Sequence, residues 1–143
     1  MKRFKYFFFS LLLLLVACGP NIQEVVEETW PDGSSKVVKH YVAVDDDKIL
    51  VKEISYYKTG IKRLEGEFNN GQRDGHWKYW YKDGTLWSEG FFTEGKRSGA
   101  GTTYHENGKK YIEGNYENGE RVGKWSFWDE NGKLSKEIDY DKQ

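Results

Sequence analysis

From Tyr57 onward the chain repeats itself every 24 residues: "YKTGIKRLEGEFNNGQRDGHWKYW", "YKDGTLWSEGFFTEGKRSGAGTTY", "HENGKKYIEGNYENGERVGKWSFW" and the partial unit "DENGKLSKEIDYDKQ". Four glycine columns hold the period: Gly60, Gly84, Gly108 and Gly132; Gly66, Gly90 and Gly114; Gly71, Gly95 and Gly119; Gly75, Gly99 and Gly123. Thirteen of the 16 glycines lie in them, so glycine here marks structural positions rather than general flexibility. Aromatic columns run between, at Phe68, Phe92, Tyr116 and Tyr140 and at Tyr56, Trp80, Tyr104 and Trp128. Such a lattice restricts the fold to stacked copies of one small unit, because a unit this short cannot bury its apolar face alone.

Each unit alternates period-2 stretches with turn signals, and no glycine-free window has helical spacing, so the unit is a β-hairpin. The expected fold is all-β, an elongated antiparallel sheet of stacked hairpins. Asp83-Gly84, Asn107-Gly108 and Asn131-Gly132 are the pairs favoured in two-residue type I′ turns. A turn centred on Asp83-Gly84 places Trp80 opposite Trp87, Lys78 opposite Glu89 and Trp77 opposite Gly90; its equivalent places Tyr104 opposite Tyr111. Aromatic and opposite-charge pairs of this kind each contribute roughly 0.2–1 kcal/mol, and a glycine facing Trp77 gives the indole room to lie flat. The other connection, Asn69 to Gly75, carries two glycines and is expected to be a wider loop. Leu64, Gly66 and Phe68 share one strand face and Glu65 and Glu67 the other, as in a sheet with one face packed and one wet.

The segments "EGEFNNGQRDGHW", "EGFFTEGKRSGAG" and "EGNYENGERVGKW" resemble MORN repeats. The second ends in the "GAG" of the eukaryotic form; Trp77 and Trp125 in the other two resemble the bacterial MORN variant. The resemblance covers Tyr56 to Tyr140, within a repeat region of residues 56–143, and implies an elongated sheet of successive hairpins. Residues 29–55, with "WPDG" and the strand pair "KVVKHYVAV" and "KILVKEI", read as a degenerate first hairpin that caps the stack.

The N-terminus has a different logic. Lys2, Arg3 and Lys5 precede an apolar run from Tyr6 to Ala17, the order of a secretory signal and too short for the roughly 20 residues of a membrane span. "LVAC", ending at Cys18, resembles the lipobox of bacterial lipoproteins; the alternative is an ordinary signal peptide with a coincidental cysteine. The resemblance implies a signal peptide of residues 1–17 and diacylglycerol and fatty-acyl chains such as palmitate on Cys18, with residues 18–28 as a spacer from the bilayer. Several acyl chains on one residue anchor stably, each buried methylene contributing about 0.8 kcal/mol. Gly19, in place of an aspartate after the cysteine, favours an outer membrane over an inner one. Loss of the first 17 residues leaves 19 basic against 23 acidic side chains, a balance that offers no basic stripe to nucleic acid.

The chain has no residue pattern that points to catalysis or ligand chemistry. "GFFTEGKR", Gly90 to Arg97, has the glycine spacing of a phosphate loop but Arg97 where magnesium needs Ser or Thr. Its copies "GEFNNGQ" and "GNYENGE" lack the lysine, and a strand follows where an anion site needs a helix N-terminus, so nucleotide binding is excluded. His40, His76 and His105 are not at metal-ligand spacing, and "DDDK" at Asp45 reads as a solvated turn, so no metal or cofactor is expected. With no Ser-His or Cys-His set, the chain is expected not to be an enzyme.

Two charged columns, Glu65, Glu89, Glu113 and Glu137, and Arg73, Arg97 and Arg121, either form ladders that grip an extended partner or are satisfied within the sheet. Tryptophan and tyrosine density favours a protein-binding surface, with Trp80, Trp87, Tyr104, Tyr111, Trp128 and the three arginines as candidate contacts. The resemblance to bacterial variant-repeat proteins implies an antitoxin or immunity-type role. The alternative is a cell-wall or carbohydrate-binding module, since "GHWKYWYKDG" resembles the aromatic hairpins of choline-binding repeats.

Overall fold

The computed structural model of the chain describes residues 21–142; Cys18 and the expected signal segment lie outside them. The described residues form one ten-stranded antiparallel sheet in which every strand pairs with its sequence neighbours. The strands are β1 (Ile22–Thr29), β2 (Ser35–Val44), β3 (Asp47–Tyr56), β4 (Lys62–Asn69), β5 (Gln72–Trp80), β6 (Leu86–Thr93), β7 (Lys96–Tyr104), β8 (Lys110–Glu117), β9 (Glu120–Trp128) and β10 (Leu134–Asp139), closed by a 3₁₀ turn at Tyr140–Lys142. The all-β hairpin stack expected from the repeat is the fold observed.

The N-terminal unit is larger than expected. Residues of the anticipated spacer form β1, paired with β2 from Ile22–Val42 to Thr29–Ser35. The reason is complementarity: Val26 faces Val38, which is buried, while Lys36 holds Glu28 at 2.6 Å and Tyr41 holds Glu27 at 2.6 Å. "WPDG" turns β1 into β2, and Asp45-Asp46 turns β2 into β3.

The two kinds of turn are the reverse of the expected assignment. Asp83-Gly84 is not a type I′ turn: Gly84 N–H donates to the Tyr81 carbonyl at 3.1 Å, Tyr81 N–H donates to the Thr85 carbonyl at 2.8 Å, and of the pair only Gly84 has positive φ, at 93°. This is a type I turn with a glycine bulge. The Asp83 carboxylate accepts the Thr85 N–H at 2.8 Å, which holds Asp83 in its right-handed conformation. The expected wide loop is the tight one. Asn70-Gly71, Glu94-Gly95 and Asn118-Gly119 each join two strands with positive φ at both residues, the type I′ signature.

These turns correct the register locally. Trp77 faces Gly90 and Lys78 faces Glu89 as expected, but beside the turn Trp80 faces Leu86 and Tyr104 faces Lys110, leaving Trp87 and Tyr111 as the extra, unpaired residues. A one-residue bulge sends a side chain to the other face. Trp87 therefore packs edge-on to Tyr79, whereas Trp80 lies on the opposite face beneath Lys62.

The core is a single layer built on glycine and tryptophan. Trp77 does not fold over Gly90 but over Gly66, on the strand to its other side, where an added Cβ would overlap the indole; Trp125 covers Gly114 in the same way. The cause is a bulge at Gly75 (φ 72°), which sets three residues of β5 opposite Gly66. Both indoles are almost wholly buried and donate their N–H, Trp77 to the Glu67 carbonyl at 3.1 Å and Trp125 to the Asn115 carbonyl at 3.2 Å. In the "GAG" unit Gly101 replaces the tryptophan, and Tyr116 leans over it instead.

Candidate functional site

Seen from the sequence, the eight candidate contacts were one aromatic surface; the fold divides them. Trp80, Tyr104 and Trp128 lie on one face and are engaged there: Lys62 lies over Trp80, Lys110 over Trp128, and the Tyr104 hydroxyl donates to Glu89 at 2.9 Å. Trp87, Tyr111 and the three arginines lie on the other face.

The arginines hold the stack together. Arg73 lies 4.2 Å from the Trp77 ring centre and 5.7 Å from Phe92, Arg97 5.6 Å from Phe92 and 5.0 Å from Tyr116, and Arg121 4.4 Å from Trp125 and 5.6 Å from Tyr140. Each guanidinium thus bridges rings of successive repeats, and Arg73 and Arg121 also donate to the hydroxyls of Tyr79 and Tyr140. The glutamate column is likewise satisfied within the sheet: Glu65 by Lys52 and Lys62, Glu89 by His76, Glu113 by Lys110, Glu137 by Lys124. Of the two readings of these ladders, the geometry carries the structural one.

The histidines are placed singly: His40 near Glu24 at 3.5 Å, His76 stacked on Phe91, and His105 with Nε2 3.0 Å from the Trp128 carbonyl. Among the described residues no three His, Cys, Asp or Glu side chains gather as a metal site requires, and no helix is long and apolar enough to cross a membrane.

What remains unengaged is a groove of about 720 Å³ between the bulges of the second and third repeats. Trp87 and Tyr111 form its walls, 46% and 43% exposed, and Thr103 of β7 lies between them. The bulges place both rings here, and packing fixes their angle: Trp87 against Tyr79 and Tyr81 at 6.0 and 6.2 Å, Tyr111 against His105 at 4.6 Å. At the rim stand Glu106 and Glu130, both exposed and neither in an ion pair among the described residues. Burial, then the charges of Glu106 and Asp83, raise the Tyr81 hydroxyl above its ordinary value.

A third column, absent from the candidate set, makes this groove rigid. Tyr57 donates to the Trp80 carbonyl at 2.8 Å and Tyr81 to the Tyr104 carbonyl at 2.9 Å; His105, in the same column, donates through Nε2 to the Trp128 carbonyl. Each bond spans 23 residues and ties one turn to the next repeat. The signal was legible as a period-24 column of Tyr, Tyr and His immediately after the aromatic one.

Three segments of the chain, residues 73–94, 97–118 and 121–142, match the family described as MORN repeat variant. Each matched segment opens on one of the stacked arginines. No curated protein matches the chain in sequence. Among solved structures, the crystal structure of a GtfA/B complex bound to UDP and GlcNAc is similar over 87% of this chain, with 14% identity and a TM-score of 0.34. The similarity spans 25% of the length of that chain.

Proposed function

We propose that this chain is a non-enzymatic repeat scaffold that binds another protein through the groove between Trp87 and Tyr111, and that a lipid on Cys18 holds it at the cell envelope. The single observation that carries the binding role is that the bulges bring two exposed rings, Trp87 and Tyr111, together across one groove, whereas the equally exposed Phe91 stands alone on the other face, stacked on His76. Rigid, half-exposed aromatics dominate protein interfaces because they bring area without losing much conformational freedom. The lipobox-like "LVAC" supports the anchor, and the kinship of the repeats with bacterial variant-repeat proteins supports an antitoxin or immunity-type partner facing the envelope.

The test is capture of partners by the tagged full chain from envelope extracts, wild type against the Trp87→Ala, Tyr111→Ala double variant. Proteins bound through this groove should be lost from the variant and kept by Phe91→Ala, which removes an equally exposed ring from the other face. Identical capture by all three defeats the proposal. In the same cells Cys18→Ala should lose labelled fatty acid and leave the membrane fraction; unchanged fractionation sinks the anchor. Sedimentation with peptidoglycan in the absence of any protein partner supports the wall-binding alternative instead.

A further inference from the structure

Five of the six tryptophans carry a cation from their own chain: Lys36 over Trp30, Arg73 over Trp77, Lys62 over Trp80, Arg121 over Trp125 and Lys110 over Trp128. Trp87 is the exception among the described residues, and Tyr111 across the groove has none either. The groove also has a local excess of negative charge at its rim. The glutamates of the repeat column have lysine or histidine partners, whereas Glu106 and Glu130 at the groove rim, like Glu67, Glu94 and Glu117, have no ion-pair partner among the described residues, so the charge of the two rim residues is free to act on the groove.

From this charge complementarity, and resting on the protein-binding role proposed above, we infer that the groove takes a lysine or arginine side chain from a basic segment of the partner. The cation would lie between the faces of Trp87 and Tyr111, where the ring quadrupoles are negative, with Glu106 and Glu130 drawing it in from the rim. Nearby cations of the chain itself are held elsewhere: Lys109 donates to the Asn131 carbonyl at 3.0 Å, and Lys110 lies on the opposite face with Glu113. Lys82 borders the adjoining groove, alongside Asp83 and Glu106, rather than the one between the two rings. Tyr81, bound to the Tyr104 carbonyl, keeps the Trp87 wall in place before any ligand arrives, so little ordering is needed on binding.

The experiment is a fluorescence-anisotropy titration of the detergent-solubilised full chain with a labelled peptide of alternating glycine and lysine, beside the same peptide with every lysine acetylated. The basic peptide should bind with a strong salt dependence, and acetylation should weaken it at least about tenfold. Trp87→Leu, which keeps an apolar wall but removes the ring face, should weaken binding about five- to thirtyfold. Glu106→Gln with Glu130→Gln should weaken it about fivefold and flatten the salt dependence, whereas Phe91→Ala should bind as wild type. Binding of the acetylated peptide as tightly as the basic one, full affinity in Trp87→Leu, or no binding of the basic peptide overturns the inference. Should basic peptides fail while partner capture still depends on Trp87, only the identity of the ligand falls; should capture ignore Trp87, the binding role falls with it.

Discussion

The two long edges of the sheet share a dipeptide, Asn-Gly, and do different work. Asn118-Gly119 forms a two-residue turn with both residues left-handed, while Asn107-Gly108, only eleven positions earlier, forms the turn whose glycine alone is left-handed. On the tight edge, Gly95 N–H donates to the Arg73 carbonyl and Gly119 N–H to the Arg97 carbonyl, both at 2.9 Å. Successive repeats lock there and the arginines stack inward. On the bulged edge the locking bonds come from the Tyr57, Tyr81 and His105 side chains, and the bulge itself releases Trp87 and Tyr111 to solvent. A tight turn spends every side chain on the sheet, whereas a bulge leaves one over, and that surplus is where this molecule has a surface to offer.

The comparison is broken most directly through its two tryptophans. Trp77→Ala removes an almost fully buried indole and its hydrogen bond to Glu67, and is expected to destabilise the fold by about 3–5 kcal/mol in denaturant unfolding. Trp87→Ala, at the bulge, should lose only about 1 kcal/mol, from two aromatic contacts. Equal losses would mean that both edges are structural.

A smaller effect tests what stiffens the bulged edge. Tyr81→Phe keeps the ring against Trp87 and removes the bond to the Tyr104 carbonyl, so stability should fall by about 1 kcal/mol. An unchanged midpoint would leave that edge held by packing alone.

The smallest effect is spectroscopic. Tyr104 has its hydroxyl pushed up to about 12, first by burial and then by the hydrogen bond it donates to Glu89. Because the fold favours the neutral phenol, this contribution to stability is whole below the free phenol value of about 10 and is lost as pH rises through about 12. Phenolate absorbance should therefore show two tyrosines titrating late, Tyr104 and Tyr41, whose hydroxyl the hydrogen bond it donates to Glu27 likewise pushes up to about 12, and Glu89→Gln should move only the first of them earlier. If Tyr104→Phe leaves the alkaline end of the curve unaltered, the assignment is wrong.

Much of this is legible in the sequence. The 24-residue period, the all-β hairpin stack and the pairing of Trp77 with Gly90 and Lys78 with Glu89 follow from the glycine columns and the two-residue alternation, which are local properties of the chain. The groove was half legible: Trp87 and Tyr111 were visible as aromatics, but so were Trp80, Tyr104 and Trp128, and composition does not tell an engaged ring from an idle one. Nothing in the repeat pattern sets Glu106 and Glu130 apart from the other charged residues beside the turns.

What the sequence determined by itself is the repeat and the alternation of faces, since both are set by steric rules that act within a few residues. Which Asn-Gly pair makes the tight turn, over which glycine each indole folds and which aromatics stay bare were decided only by the tertiary structure. Those choices depend on bonds reaching 23 residues ahead, from Tyr57 to Trp80 and from Tyr81 to Tyr104, and on cations arriving from neighbouring strands. The same dipeptide is compatible with either turn in isolation; in the tight form the glycine N–H bonds the preceding repeat, Gly95 to Arg73 and Gly119 to Arg97, whereas in the bulged form it bonds within its own turn, Gly84 to Tyr81 and Gly108 to His105.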